Sequence, residues 1–322
     1  MSGHDDTALP QNWLRPLGTT GIAVSAVGLG GSPLGGAPDG TRPEEASAVE
    51  LVRTVLSSPI RFIDTSNGYS GGASERRIGL AIAAAGGLPH GAVVETKVDP
   101  AGRDFSGDRV RRSVEESMER LGLDRLPIVH LHDPEYFAFE ELAGPGGAVE
   151  TLLALKDEGL IGHLGVAGGT ASEMARYVEL GVFEILLTHS RWSLVDRSAG
   201  PLIEQAASRG MAVLNAAVHG GGILAKPHDG LTSYGYRPAT PATLAAISSM
   251  DALCAEYGTD LASAALAWSL RDPRIASTIV GFTQTSRIAA LTAVASLELP
   301  DEFWERVESL VPAPEHWLDH AL

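Results

Sequence analysis

The sequence predicts an α/β fold, a closed (β/α)8 barrel with an N-terminal hairpin and a C-terminal extra helix. Three observations predict it. Eight short apolar runs of strand length alternate with segments of helical periodicity. Gly122, Gly159, Gly181 and Gly210 stand where helices should stop. Three runs in the first half each deliver a titratable residue at their end: Asp64, Lys97 and His132. If those runs are parallel strands, the three side chains share the end of the sheet at which barrels do chemistry.

The elements follow in chain order. Residues 17–25 read as a hairpin turning at Thr20-Gly21, placed to close the barrel's bottom. The first strand is expected over 26–29. The glycines Gly28, Gly30, Gly31 and Gly35 superficially resemble a dinucleotide fingerprint. Pro33 lies inside that stretch and no helix starts directly after it, so it reads as a flexible βα loop at the barrel mouth. The doubly wound open sheet, the alternative fold, lacks its phosphate loop. Further strands are expected over 60–64, 92–97, 127–132, 162–166, 184–188, 212–215 and 277–280. Helices are expected over 43–57, 74–84, 108–121, 147–158, 171–180, 199–209, 240–257 and 286–294. Asp108 is placed to cap the third helix, and Thr170 with Glu173 forms a capping box for the fifth. Residues 220–240 have little periodicity and read as a functional loop or lid that includes Tyr234 and Tyr236. Phe303, Trp304, Val307 and Leu310 have helical spacing and predict an outer helix within 300–322. One barrel domain over 1–322 is expected, with 1–14 a flexible tail.

Composition narrows the function classes. The formal charge of −16 over 322 residues opposes binding to nucleic acid or to anionic membranes. Apolar residues make up 44% of the chain, ample for a full core, yet no stretch approaches the roughly 20 uncharged apolar residues that span a bilayer. The acidic start, Met1-Ser2-Gly3-His4-Asp5-Asp6, lacks the apolar region of a signal peptide. Cys254 is the only cysteine, so no internal disulfide can form and a cytoplasmic location is expected. Cys254 sits in a helical segment and reads as plain core.

Tyr69 follows Asp64 by five residues and joins the strand-end group. A free tyrosine has a pKa of about 10, too high for efficient proton exchange at neutral pH. A lysine ammonium beside it favours the phenolate, and a carboxylate on the lysine keeps that ammonium charged. A histidine nearby can orient a substrate oxygen. Tyr69, Lys97, Asp64 and His132 together therefore make a proton-transfer device, while hydride needs a cofactor. Singly, Asp64 and Lys97 are also consistent with an ion pair, Tyr69 with a loop anchor and His132 with a strand-end histidine. His130, in the same strand, is assigned to the opposite face from His132. Trp192, His219, Tyr136 and Phe137 fall in loops after strands and are candidates for a substrate pocket. His189, His219 and His228 are scattered without Asp or Glu at ligand spacing, so no metal site is expected.

These residues carry a resemblance. Phe62-Ile63-Asp64-Thr65-Ser66-Asn67-Gly68-Tyr69, Ser74-Glu75-Arg76-Arg77-Ile78-Gly79, Glu95-Thr96-Lys97, Leu131-His132-Asp133-Pro134 and Leu160-Ile161-Gly162-His163-Leu164-Gly165-Val166 resemble, in order, the aldo-keto reductase superfamily. The resemblance implies a barrel that binds NAD or NADP without a Rossmann domain, and it makes Asp64, Tyr69, Lys97 and His132 a catalytic tetrad. It implies cofactor contacts at Gly30, Gly31, Asp64, Ala167, Asn215, Ala216, Gly281 and Arg287, and substrate contacts at Tyr69, His132, Trp192, His219 and Phe137. Residues 191–197 and 213–225 are similar to the branch of aldose (L-fucose and D-threo-aldose) 1-dehydrogenases and pyridoxal 4-dehydrogenase, which oxidise cyclic hemiacetals to lactones. The chain departs from the pattern in three places. Ala167-Gly168 replaces a Ser-Asn pair, Asn215 stands where a tyrosine stacks on nicotinamide, and Ala290-Leu291 replaces a Glu-Asn pair beyond Arg287. One arginine for a 2′-phosphate leaves NAD and NADP both open. The rival functions are an NADPH-dependent aldehyde or ketone reductase, a metal-dependent barrel hydrolase or isomerase, and a non-catalytic nucleotide-binding barrel that acts as a sensor or subunit. The partner expected is a small-molecule sugar or aldehyde.

Overall fold

A two-stranded hairpin precedes the barrel: β1 (Leu14–Pro16) pairs antiparallel with β2 (Ala23–Ser25). The computed structural model describes residues 10, 12–36 and 43–320. The hairpin's outer arm starts three residues before the expected one, and its turn spans 17–22, closed by the Leu17 N–H on Ile22 O at 2.8 Å. Gly18 in that turn has φ +57°, and a Cβ there would stand 2.6 Å from the backbone N of Ala212. The turn thus lies against the start of a barrel strand and seals the bottom as expected. Trp13 is buried and its Nε1 donates to Pro59 O at 2.9 Å. The fold therefore begins before the end of the expected 1–14 tail; residues 1–9 lie outside the described residues.

The chain continues through β3 (Val27–Gly30), the single turn α1 (Ser32–Gly35), α2 (Glu45–Leu56), β4 (Phe62–Asp64), α3 (Ala73–Ala84), β5 (Val93–Val98), α4 (Gly107–Leu121), β6 (Leu126–His132), α5 (Phe139–Ala143) and α6 (Ala148–Asp157). It then forms β7 (Ile161–Gly168), α7 (Ala171–Glu179), β8 (Ile185–His189), α8 (Gly200–Ser208), β9 (Ala212–Ala216), the ribbon β10 (Ser233–Tyr234) with β11 (Arg237–Pro238), α9 (Pro241–Glu256), α10 (Leu261–Arg271), β12 (Ile275–Gly281), α11 (Arg287–Val294) and α12 (Asp301–Ser309). Strands β3 to β9 and β12 close a parallel barrel, β12 pairing with both β3 and β9. All eight expected strands are present, which is the architecture the alternation of runs and helices demands.

Four local expectations are corrected. The loop after β3 contains one helical turn, α1, with Pro33 in its first turn, where proline's missing N–H costs nothing. Ser106, not Asp108, caps α4, accepting from the Arg109 N–H. Thr170 makes no side-chain cap; the Ala171 N–H instead donates to Asp319 Oδ2 at 2.7 Å. A carboxylate is a stronger acceptor than a hydroxyl, and this one also holds Arg191 Nε at 2.7 Å. Finally, the seventh unit carries two helices where one was expected. Leu266 and Leu270 of α10 join the layer between barrel and helices. Ile247, Met250 and Leu253 of α9 pack further out, with Phe303 and Val307 of α12. So α10 is the covering helix. It is alanine-rich and buried along most of its length, which erases the one-sided stripe that marks a helix in sequence.

Inside the barrel the lower positions are apolar: Phe62, Val93, Ile128, Ile185 and Leu214, with Leu17 and Val24 from the hairpin below. Each such side chain contributes on the order of 2 kcal/mol by leaving water. Above them the interior turns polar. Cys254 is buried in the outer cluster, where burial pushes its thiol up to about 12. Gly122 ends α4 in the left-handed conformation, φ +68°. Among the described residues no helix is long and apolar enough to cross a membrane.

Candidate active site

Asp64 closes β4, Lys97 is the penultimate residue of β5, and His132 closes β6. Parallel pairing puts these ends together, and Tyr69 folds over them from the loop after β4. Lys97 Nζ donates to Asp64 Oδ1 at 2.5 Å, to Thr65 O at 2.8 Å and to Tyr69 Oη at 3.1 Å. It also lies 4.7 Å from the Tyr69 ring centre. With Lys97 only 1% exposed, its three N–H donors are all spent on named acceptors. Burial acts to lower the Lys97 pKa, but Asp64 and Tyr69 outweigh it and hold the ammonium charged. Burial pushes the Tyr69 phenol above the ordinary tyrosine value and Lys97 pulls it back in part. The Tyr69 and His132 rings meet edge to face with centres 5.7 Å apart.

His130 is not on the opposite face from His132. Residues two apart in a strand share a face, and His130 sits inside the barrel one layer below. Its Nε2 lies 2.8 Å from Glu95 Oε2, and both side chains are fully buried. Glu95 stands below Lys97 in the same way. Burial pushes the Glu95 carboxyl up to about 8 and the His130 imidazole down to about 3, so both are held neutral over much of the physiological range. Gly165 on β7 makes room for this pair, since a Cβ there would stand 2.2 Å from His130 Nδ1.

A cavity of about 780 Å³ opens at this end of the barrel. Tyr69, Lys97, Asp64 and His132 lie at its floor, and it runs past Ala167, His189 and Ala216 to Gly281 and Arg287. Gly30 and His219 also line it. Four expected contacts are placed elsewhere. Gly31 lies behind the wall, its N–H donating to Asp64 O at 2.7 Å. Asn215 points out of the barrel, donating to Trp192 O and to Ser269 Oγ, both at 2.8 Å, because the strand's alternation turns Ala216 inward instead. Trp192 packs on Trp268 and donates to Asp272 Oδ2 at 3.0 Å. Phe137 packs edge to face on Phe105 in the outer core. In the long loop, Tyr234 is a buried anchor whose hydroxyl meets Ser193 Oγ at 2.6 Å, whereas Tyr236 lines the cavity mouth and is 75% exposed.

Several lining residues escaped the sequence reading. His189 closes β8, one residue beyond the expected strand end, and so carries the same strand-end signal as His132. Among the described residues its buried Nδ1 has no hydrogen-bond partner, and neither has Oε2 of Glu135 nearby. Burial pushes the His189 imidazole down to about 4. Asp133, Glu135 and His189 bring candidate ligand atoms within 4.8 Å of one another. Glu135 Oε1 is already engaged by the Gly169 N–H at 2.5 Å and the Thr170 N–H at 3.2 Å. Of the other histidines weighed for a metal, His219 Nε2 meets Ala262 O at 3.1 Å and His228 pairs with Asp251 at 3.2 Å. Asp99 lies two residues past Lys97 and meets His132 Nδ1 at 2.7 Å; strand alternation was the signal that could have found it.

The family model described as the aldo/keto reductase family matches residues 26–312. L-galactose dehydrogenase of Arabidopsis thaliana is 31% identical over 309 residues, covering 92% of this chain and 94% of the relative. Pyridoxal 4-dehydrogenase of Microbacterium luteolum is 29% identical over 335 residues, covering 92% and 96%. D-threo-aldose 1-dehydrogenase of a Pseudomonas species is 26% identical over 328 residues, covering 91% and 97%.

Proposed function

The chain belongs to the aldo/keto reductase family, an NAD(P)-dependent oxidoreductase family, and from that premise we propose that it oxidises a cyclic hemiacetal, an aldose lactol or the hemiacetal of pyridoxal, to the lactone. The observation that carries this reading is the floor of the cavity, where Lys97 Nζ bonds both Asp64 and the Tyr69 hydroxyl within reach of His132. The named activities of the three relatives support the oxidative direction and the substrate class.

The cavity fits a nicotinamide dinucleotide. His189 lines the cavity, and its buried Nδ1, unpartnered among the described residues, is a hydrogen-bonding group of the kind a carboxamide satisfies. At the far end, Arg287 starts α11, so a guanidinium and a helix N-terminus face the cavity together, a combination suited to phosphate. A bound NAD(P)+ would supply the hydride acceptor. The side chains of this protein handle the proton. Tyr69 takes it from the reacting hydroxyl, and the adjacent Lys97 ammonium stabilises the phenolate side of that exchange. Asp64 keeps Lys97 charged and in place, and His132 orients the substrate beside Tyr69. General acid–base help of this sort contributes about 10²- to 10⁴-fold. We place the enzyme in the cytoplasm, acting as a single barrel domain on a small-molecule substrate.

Initial rates of NADH or NADPH formation test the reading, with L-galactose, L-fucose, D-arabinose and pyridoxal each offered with NAD+ and with NADP+. Turnover of one or more supports it and names the branch. No turnover across the panel, with NADPH-driven reduction of a test aldehyde, replaces it with the reductase.

A further inference from the structure

His132 has two ring nitrogens with different surroundings. Nδ1 faces Asp99 Oδ1 at 2.7 Å and Ser66 Oγ at 3.2 Å. Nε2 has no hydrogen-bond partner among the described residues, and the nearest carboxylate oxygen, on Asp133, is 3.8 Å away. The other oxygen of Asp99 is occupied by two donors, the Gly68 N–H at 2.6 Å and the Ser66 hydroxyl. Gly68 permits this approach, since a Cβ there would stand 2.9 Å from Asp99 Cγ.

Donor and acceptor roles then follow by elimination. Burial acts to raise the Asp99 carboxyl, but the bonds from His132, Ser66 and Gly68 outweigh it and hold the carboxyl below the usual range. An ionised carboxylate only accepts. Ser66 spends its hydrogen on Asp99 and can only accept from the ring. Both neighbours of Nδ1 are therefore acceptors, and Nδ1 carries a proton. In the neutral ring the second nitrogen is then a bare lone pair.

We propose that Asp99 is a positioning residue that locks His132 in the Nδ1–H form, so that Nε2 accepts a hydrogen bond from a second substrate hydroxyl, on the carbon next to the reacting one. The inference rests on the hemiacetal-oxidising reading above and narrows it. Tyr69 takes the proton of the reacting hydroxyl, so the donor that meets Nε2 belongs to a neighbouring group. Aldose lactols carry a hydroxyl there. Pyridoxal does not, and its nearest oxygen is an acidic phenol that ionises to an acceptor. The substrate class is a 2-hydroxy lactol.

The test has two arms on the full-length protein. The first is a two-dimensional ¹⁵N–¹H spectrum of ¹⁵N-histidine-labelled protein, with and without NAD+, in which the signals lost in His132→Gln identify His132. The expected pattern is one protonated nitrogen at δ1 and one unprotonated nitrogen at ε2; a proton on ε2, in either the neutral or the doubly protonated ring, overturns the proposal. In Asp99→Asn the amide oxygen should turn to the Gly68 and Ser66 donors, which leaves the NH2 facing Nδ1 and moves the ring proton to Nε2. The second arm compares L-galactose with its 2-deoxy-2-fluoro analogue, in which fluorine accepts weakly and donates nothing. Any electronic effect of fluorine on the reacting carbon acts equally on both proteins, so the quantity read is the ratio of kcat/KM for the two sugars. That ratio should fall at least about tenfold from wild type to Asp99→Asn, the size of one hydrogen bond. An unchanged ratio overturns the role given to Nε2, and so does pyridoxal turnover without aldose turnover. If no hemiacetal is oxidised, the function reading fails while the spectrum still decides the tautomer.

Discussion

Glu95 lies in the barrel interior with its carboxyl fully buried, one oxygen on His130 and the other, Oε1, unpartnered among the described residues. Burial raises its pKa from an ordinary 4.5 to about 8 in the folded protein. The consequence is a stability that falls as pH rises. Below pH 4.5 folded and unfolded chains both hold the proton. Between 4.5 and about 8 the unfolded chain has lost it while the folded chain keeps it, so ν_U − ν_N is negative and the slope of unfolding free energy with pH is negative. At about 1.36 kcal/mol per pH unit, the whole interval amounts to about 5 kcal/mol. Glu95→Gln keeps the shape and an oxygen for His130 but has nothing to ionise. Relative to wild type, it should therefore gain about 4 kcal/mol between pH 5 and pH 9. For 322 residues the unfolding entropy is about 0.7 kcal/mol/K, so this gain is about 6 °C in Tm. Thermal melts of both proteins at the two pH values, followed by tryptophan fluorescence, read it directly. An offset in Tm that is the same at pH 5 and pH 9 would refute the reasoning, because a change of packing alone does not titrate.

Three other perturbations have definite outcomes. Tyr69→Phe should lower kcat by about 10²- to 10⁴-fold while leaving NAD+ affinity, measured by fluorescence titration, nearly unchanged; retention of most of the turnover would remove Tyr69 from the proton path. Arg287→Ala should weaken NADP+ about 10- to 100-fold and NAD+ far less, since only the former brings a 2′-phosphate to the guanidinium; equal losses in the two titrations would place that phosphate elsewhere. Gly79→Ala should destabilise the fold by about 1–3 kcal/mol, or about 2–4 °C in Tm, because the added Cβ would stand 1.9 Å from the backbone oxygen of Arg120 at the end of α4; a wild-type melting temperature would contradict that close packing of α3 on α4.

By itself the sequence determined the barrel, because strand and helix periods are local properties and their eightfold alternation has one closed solution. It also determined which side chains meet at the cavity end of the barrel. Asp64, Lys97 and His132 each stand at or beside a strand's C-terminal end, and parallel pairing brings such ends together without further information. The period of two even held what was misassigned, since it puts Glu95 beneath Lys97 and His130 beneath His132. Contacts between residues distant in sequence were decided only by the tertiary structure. Asn215 turns outward to Ser269, 54 residues away, and Thr170 loses its capping role to Asp319 from the end of the chain. Whether α9 or α10 covers the barrel depends on which buried face wins the layer next to the strands, and a helix rich in alanine leaves no stripe by which to tell. The ring proton of His132 is of the same kind: it is set by Asp99 and Ser66, whose oxygens reach Nδ1 only once the strand ends and the loop after β4 are folded together.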